Sequence, residues 1–331
     1  MQKIIRLALL AAILPLAAAC ANQAKNESQD FAVPTLHSSA LYRVESTNAR
    51  ATDLGAEAAR LAQNDVVFVG EYHGNAGSHH MQLAVLEELY RLRGDDLVLS
   101  MEHFERDVQP FLDQYLNGEI GETPFLANSR PWPAYKSDYR PLIEFCKDRG
   151  LDVIAANIPK AIRSRVSKEG KQVLAELSDD EKRLAPRVIL DYAGPYRDKF
   201  LRFMGIQDAS SADPDRLARA LKSFAVQCSW DDTMAESITD YRRKKPNALV
   251  VHVCGSFHSE EHLGTVERLL KRAPTTKVAV LSPFFVASPK SISDEELTEN
   301  LNRGDYIYAV RQDPAQFVSE EKRQAFMESQ R

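Results

Sequence analysis

The chain has 331 residues, a formal net charge of −5 at pH 7 and four cysteines. This length is too great for one small domain and fits a large α/β domain with an insertion. The acidic balance argues against nucleic acid or an anionic lipid surface as the main partner. After the N-terminal segment only Cys146, Cys228 and Cys254 remain. Three cysteines cannot form a framework of several disulfides. The sequence is compatible with one disulfide bridge and equally with three free thiols.

The N-terminus has the pattern of a secretory signal. Lys3 and Arg6 accompany an apolar run at 4–16, and three alanines precede Cys20. The run is too short to span a membrane. We therefore predict a signal peptide at 1–19, lipidation of Cys20, and a lipidated cysteine with a polar tether at 20–40. An ordinary signal peptide cut nearby is the alternative. In either case the protein leaves the cytoplasm, and a lipid on Cys20 would be its only attachment to a membrane.

Five short, dense apolar runs predict buried strands. They lie at 66–69, 97–101, 152–156, 248–253 and 277–281. Amphipathic helical patterns separate the first three runs. This alternation is typical of an α/β fold, with a mostly parallel sheet flanked by helices. A further run at 306–310 is a candidate for a last strand at an edge of the sheet.

The stretch 160–245 differs from the rest because it has no strand-like run and is rich in Ala, Arg, Lys and Glu. Ser178 and Glu181 have capping-box spacing. Asp213 followed by Pro214 predicts the start of a helix, with Asp213 as the N-cap and Pro214 at the first helical position. We predict a helical insert, a smaller helical subdomain, between the third and fourth strands. It belongs to one α/β domain at 41–320, which a polar tail at 321–331 follows.

The four strongest strands all end in polar side chains. These are Glu71 and His73 after the first run, Glu102 after the second, Asn157 after the third and His258 after the fourth. The first and fourth ends share a Gly-x-x-His motif, GEYH at 70–73 and GSFH at 255–258. Because parallel strands end on one edge of a sheet, we expect His73 and His258 to face each other across one cleft. Glu71 and Glu102 should lie within reach of both.

Two histidines and two carboxylates suggest two kinds of chemistry. Glu71, His73, Glu102 and His258 could hold a divalent metal such as zinc, manganese or cobalt. They could also work without a metal, as catalytic residues in which a carboxylate orients a histidine that acts as general base. The alternative to both is that the glycines are structural and the histidines only cap strands. Two copies of the motif in one sheet favour a site.

Other residues carry weaker signals. Arg106 could bind an anion or form a plain salt bridge. The aromatic and proline-rich segment 130–142 could be a lid over the cleft or a packed loop. His79 and His80 begin a predicted helix; a role as neutral ligands is one possibility, and a position at the surface is the expected one.

In the insert, Tyr192, Tyr196 and Met204 are candidate haem ligands, since tyrosine and methionine both bind haem iron in proteins. At helical spacing such residues are more often part of the core.

Several blocks of the sequence together resemble the ChaN family of bacterial haem-binding lipoproteins, which belongs to the Tiki superfamily. The blocks are FVGEYHGN, SMEHFERDVQPFLDQYLNGEI, YRPLIEFCKDRGLDVIAANIPK, DDTMAESI and GSFHSEEHLGTVERL, and they run from about Val66 to Leu270. By resemblance, the two Gly-x-x-His motifs are the family's paired motifs, and Glu102 and Arg106 are the accompanying acid and base. Gly74 stands where the family usually has Asp.

The resemblance implies two functions. The first is haem binding during haem or iron uptake by a lipoprotein of the bacterial cell envelope, with a tyrosine as axial ligand and a homodimer around the haem. Tyr72, Tyr192, Tyr196 and Arg106 are the candidate cofactor-binding residues. The alternative is a metal-dependent protease or esterase that acts on a small-molecule or peptide substrate through the His/Glu cluster. Haem binding ranks first because the matched blocks are those of this family. Asn22, two places after Cys20, favours the outer membrane.

Overall fold

The computed structural model describes residues 39–312, 314 and 317–329. The predicted signal peptide, Cys20 and nearly all of the predicted tether lie outside these residues. Eight strands form one sheet; in chain order they are β1 Ser39–Glu45, β2 Asn48–Thr52, β3 Val66–Glu71, β4 Leu97–Glu105, β5 Val153–Asn157, β6 Leu249–Gly255, β7 Val278–Val286 and β8 Tyr306–Arg311. Their order across the sheet is β2-β1-β8-β7-β3-β6-β4-β5.

The sheet is mostly parallel, as predicted. Neighbouring strands from β8 to β5 run in the same direction, whereas β1 is antiparallel to both β8 and β2. All five predicted strands are present. Their dense apolar runs reflect burial on both faces, which a parallel sheet covered by helices requires.

Three details differ from the predictions. β3, β4 and β6 extend to Glu71, Glu105 and Gly255, so several polar residues at the rim belong to the strands themselves. β8 is not at an edge, because β1 pairs with its far side. The β1–β2 hairpin was not predicted, and its residues are mostly half-buried or exposed.

Twelve α-helices lie in the described part of the chain: α1 Leu54–Leu61, α2 Ala76–Arg93, α3 Gln109–Leu116, α4 Glu122–Ser129, α5 Arg140–Arg149, α6 Lys160–Glu169, α7 Asp179–Leu184, α8 Pro195–Phe203, α9 Pro214–Lys244, α10 Thr265–Arg272, α11 Asp294–Thr298 and α12 Glu320–Ser329. None of the described helices has the length and apolar character needed to cross a membrane. The predicted polar tail contains all of α12 except its first residue, Glu320, while residues 330 and 331 lie outside the described residues.

The helical insert consists of α6 to α9, between β5 and β6. Its predicted caps are present. Ser178 and Glu181 form a reciprocal capping box at the start of α7. The side chain of Asp213 accepts from the backbone N–H of Arg216 at the start of α9.

The hydrophobic core has a layer on each face of the sheet. On one face, alternate residues of β3, β4 and β6 pack against α2, α3 and α5. On the other face, the intervening residues pack against α9 and α10, with Phe68, Met234 and Leu269 among the contacts. Cys146, Cys228 and Cys254 are buried free thiols. The rim where β3, β6 and β4 end therefore lies between two layers of helices.

Candidate functional site

The two Gly-x-x-His motifs lie side by side at the carboxyl ends of adjacent strands. β6 lies between β3 and β4 in the sheet. In the register, Val253 of β6 is paired with Val69 of β3 on one side and with Met101 of β4 on the other. The fourth predicted strand is therefore next to the first, and the polar ends of all three strands meet at one rim.

The glycine of each motif makes room for the other motif. A methyl group added to Gly70 would lie 3.0 Å from Ser256 Cα, which is backbone of the second motif. A methyl group added to Gly255 would lie 2.9 Å from His73 Nε2, the end of the first motif's histidine. Both distances are shorter than ordinary van der Waals contact, so a side chain at either position would require the facing motif to shift.

Glu71 is the centre of the first half of the site. Its Oε1 lies 2.6 Å from His73 Nδ1, 3.2 Å from His103 Nε2 and 2.7 Å from the hydroxyl of Tyr139. Its Oε2 accepts from Gln82 Nε2 at 2.5 Å. Burial raises the pKa of Glu71, but the neighbouring histidines outweigh burial and hold it well below its usual range. Glu71 is thus a buried anion surrounded by donors.

The ionised state of Glu71 fixes the tautomer of His73. A carboxylate can only accept hydrogen bonds, so His73 Nδ1 carries the proton. In the neutral imidazole the lone pair is then on Nε2. Burial lowers the pKa of His73, but the hydrogen bond to Glu71 and the charge of Glu102 raise it more. The His73 side chain is 48% exposed, against 0% for Glu71. It is the part of this half that an incoming ligand can reach.

His258 is the centre of the second half. Its Nδ1 lies 2.7 Å from Asp231 Oδ1 on α9, and its Nε2 lies 3.5 Å from Glu102 Oε1. Burial lowers the pKa of His258, but Asp231 and Glu102 together raise it to about 9. His258 is therefore a buried cation at neutral pH, and the ring of Trp230 is stacked against it at 5.7 Å.

Glu102 and Gly255 join the two halves. Glu102 Oε2 accepts from the backbone N–H of Gly255 at 2.7 Å. Glu102 Oε1 is buried and has no hydrogen-bond partner among the described residues. A methyl group on Gly255 would lie within 4 Å of both His73 Nε2 and Glu102 Oε2. The structure thus brings together the four residues predicted to converge, and Glu102 Oε1 has His258 Nε2 as a neighbour at 3.5 Å.

Several residues of the site were not predicted. His103 and Tyr139 bind Glu71, and Asp231 binds His258. His79 was expected at the surface but is 8% exposed. Its Nδ1 lies 3.5 Å from Glu71 Oε2. His103 directly follows Glu102 in the sequence, and this position at the end of a predicted strand could have indicated that it belongs to the site. Asp231 lies far from both motifs along the chain, within the block DDTMAESI.

The side chains that could hold a metal differ from the predicted set. Among the described residues, the one group of at least three donors whose ligand atoms lie within 4.8 Å of one another is Glu71, His73 and His103. Imidazole nitrogens and a carboxylate suit zinc, manganese or cobalt. A bound metal would have to replace the protons that now join both histidines to Glu71. Glu102 and His258 do not belong to this group.

The predicted tyrosine ligands fit haem poorly. Tyr196 is 3% exposed, and its hydroxyl donates to Asp231 Oδ2 at 2.7 Å. It is therefore not available as an axial ligand. Tyr192 lies against the Lys271 ammonium, near the far end of α10. Tyr72 is at the rim, but its hydroxyl donates to Pro283 O at 3.1 Å. Met204 follows α8 and is 40% exposed.

Two other rim residues have structural contacts. The Arg106 guanidinium donates to the Ser237 hydroxyl at 2.8 Å and to Thr233 O at 2.9 Å, which ties the end of β4 to α9. Arg106 faces a groove of about 890 Å³ along the edge strand β5 and does not contact the His/Glu cluster. Asn157 Nδ2 donates to Glu102 O at 2.9 Å and holds the ends of β4 and β5 together.

The segment 130–142 is a packed wall of the site. Tyr135 and Tyr139 are buried at the two ends of a short π-helical turn. The ring of Trp132 lies 5.0 Å from the ring of His73 and 4.6 Å from that of His103. Of the two predictions for this segment, the packed loop agrees with these contacts.

The chain is similar to known proteins in sequence and in fold. The model of the family described as haem-binding uptake, Tiki superfamily, ChaN matches residues 58–269, more than half of the chain. A structure of ChaN of Campylobacter jejuni, described as cofacial haem binding, has a TM-score of 0.61 and 13% identity, covering 82% of this chain and 98% of that one. A mutant of the erythromycin esterase EreC in its open conformation has a TM-score of 0.44 and 12% identity, covering 87% and 86%.

A curated relative matches a smaller part of the chain. Protein RETICULATA-RELATED 5, chloroplastic, of Arabidopsis thaliana is 30% identical over 89 residues. These residues are 27% of this chain and 12% of that protein, so the match spans about an eighth of the relative's length. The family match is the broader finding, and by it the chain belongs to the ChaN family of the Tiki superfamily, whose description is haem-binding uptake.

Proposed function

We propose that the protein binds haem at the rim of the sheet and serves in haem or iron uptake. One observation carries the proposal beyond the family description: His73 is half-exposed while its Nδ1–H is fixed on the buried carboxylate of Glu71. In the neutral ring the Nε2 lone pair is then free for a ligand, and histidine held in this way is a common ligand of haem iron.

Aromatic side chains beside His73 and near the end of the neighbouring strand β7 suit a flat, apolar ligand. Trp132 lies against His73 on one side. Tyr72 and Phe285 are stacked at 4.0 Å, and Phe285 is 41% exposed. Haem pockets are largely apolar with a few polar groups that fix orientation. When bound, haem would supply an iron centre; the chain would supply the axial imidazole and the aromatic contacts.

A haemin titration tests this function. We expect the Soret band of haemin to shift and the shift to saturate at a fixed ratio when the chain without residues 1–19 is added. Size-exclusion chromatography of the same sample should reveal the expected homodimer. An unshifted or unsaturable spectrum would contradict haem binding.

We also propose that the protein is a lipoprotein of the bacterial cell envelope, anchored to the outer membrane by Cys20. The support is the signal-like pattern that precedes Cys20. Replacing Cys20 by serine should move the protein from the membrane fraction to the soluble fraction, or leave it unprocessed, because the lipid would be its only anchor. Unchanged fractionation of the variant would refute lipidation.

Hydrolysis is a second candidate, favoured by a buried oxygen of Glu102 that accepts no hydrogen bond from the described residues. Glu71 orients His73 as a general base, and the cationic His258 lies across the cleft from it beside Glu102. A metal on Glu71, His73 and His103 would supply Lewis-acid chemistry when bound. Release of p-nitrophenol from p-nitrophenyl acetate, with elemental analysis of the purified protein, tests this candidate. Turnover that His73→Ala abolishes, without any haemin shift, would favour hydrolysis over haem binding.

A further inference from the structure

The insert helix α9 supplies a carboxylate to the second half of the site. Asp231 is completely buried. Its Oδ1 lies 2.7 Å from His258 Nδ1 and accepts from the Thr265 hydroxyl at 2.9 Å. Its Oδ2 accepts from the Tyr196 hydroxyl at 2.7 Å. Three donors from three different elements therefore converge on one carboxylate.

These contacts fix the orientation of the His258 ring. Burial raises the pKa of Asp231, but His258 outweighs it and the pKa is lowered overall, so Asp231 is an anion. An anion can only accept, and Nδ1 of His258 must then carry a proton and face α9. The other nitrogen, Nε2, is left facing Glu102 Oε1.

The next residue of α9 is a natural comparison. Asp232 is as completely buried as Asp231. Its Oδ2 accepts from the backbone N–H of Leu190 at 2.7 Å, and its Oδ1 lies 2.9 Å from Arg272 NH1. Asp232 thus joins the insert to α10 without contact to His258. The two aspartates share helix and burial but differ in partner.

We propose that Asp231 is a positioning residue of the site, which orients the His258 imidazole so that its Nε2 faces Glu102 and the cleft. Its effect on ligand binding rests on the proposed function, whereas its effect on His258 does not. The insert would accordingly be part of the site and not only a cover for the sheet. Among the described residues, the carboxylate that accepts from His258 Nδ1 comes from α9.

The experiment compares Asp231→Asn with Asp232→Asn in the full mature chain. At neutral pH, the imidazole ¹⁵N shifts of His258 should change in Asp231→Asn and stay at their wild-type values in Asp232→Asn. The affinity for haemin should fall about tenfold or more in the first variant only. Unchanged His258 shifts in Asp231→Asn, or equal changes in both variants, would overturn the proposal.

A milder substitution keeps the test usable if Asp231→Asn does not fold. Tyr196→Phe removes one donor to Asp231 and leaves the bond to His258 in place. The ¹⁵N shift of His258 Nδ1 should move, because the carboxylate that accepts from it loses a competing donor. An unmoved shift in a folded Tyr196→Phe protein would count against the proposal. If wild-type protein does not bind haemin, the proposed function fails, while the shifts still test the role of Asp231.

Discussion

Gly70→Ala is expected to lower the free energy of unfolding by about 1–2 kcal/mol. The added methyl group would lie 3.0 Å from the Cα of Ser256 and 3.2 Å from the hydroxyl oxygen of Ser259. Backbone cannot move aside cheaply, and overpacking of this kind costs about 1–3 kcal/mol. Stiffening of the unfolded chain offsets only about 0.4–1 kcal/mol of that cost. Urea denaturation of the purified variant measures the difference.

Gly255→Ala is the matched variant with a different expected outcome. Its methyl group would lie 2.9 Å from Nε2 of His73, which is the tip of a half-exposed side chain. The imidazole can rotate outwards, so the loss of stability should be smaller than for Gly70→Ala. Because this rotation breaks the hydrogen bond between His73 and Glu71, haemin binding should weaken. Equal losses of stability in the two variants, or wild-type haemin affinity in Gly255→Ala, would show that the motifs do not interlock as described.

His73→Ala is expected to lower the affinity for haemin by at least about tenfold, or about 1.4 kcal/mol. The variant lacks the exposed imidazole whose Nδ1–H is held by Glu71. Since the side chain is half-exposed, the folded domain should keep most of its stability. The Soret shift as a function of protein concentration gives the dissociation constant.

The control for this substitution is His80→Ala, which removes another histidine from an exposed position on α2. It should bind haemin as the wild type does. If His73→Ala also binds as the wild type does, His73 is not a ligand of the haem iron.

Most of the parallel sheet could be predicted because burial on both faces leaves a strong signal in the sequence. β3 and β6 are completely buried, and their apolar runs show this directly. β1 and β2 are largely half-buried or exposed, so their residues lack both a dense apolar run and a clear alternation. The wrong edge position for β8 followed from that omission, because its outer neighbour is β1.

The sequence could predict that the site residues lie close together, but not which carboxylate binds which histidine. Parallel strands end at one rim, which places Glu71, His73, Glu102 and His258 near one another. Which carboxylate binds which histidine depends on contributions from other elements. Asp231 reaches His258 from α9, and Tyr139 reaches Glu71 from the segment before α5.

Of the two interpretations of Tyr196, a position in the core agrees with the structure. Helical spacing indicates only that a residue faces inwards; it does not reveal that the hydroxyl donates to a buried carboxylate. A buried tyrosine with such a partner holds the site together and is not free to bind iron.

The central claim is that the two motifs build one site. A double-mutant cycle for haemin affinity, with His73→Ala, His258→Gln and the double variant, measures this most directly. His73 and His258 both lie close to Glu102, so their effects should be non-additive, with a coupling energy of about 0.5–3 kcal/mol. Additive effects, within about 0.3–0.5 kcal/mol, would mean that the histidines act at independent sites.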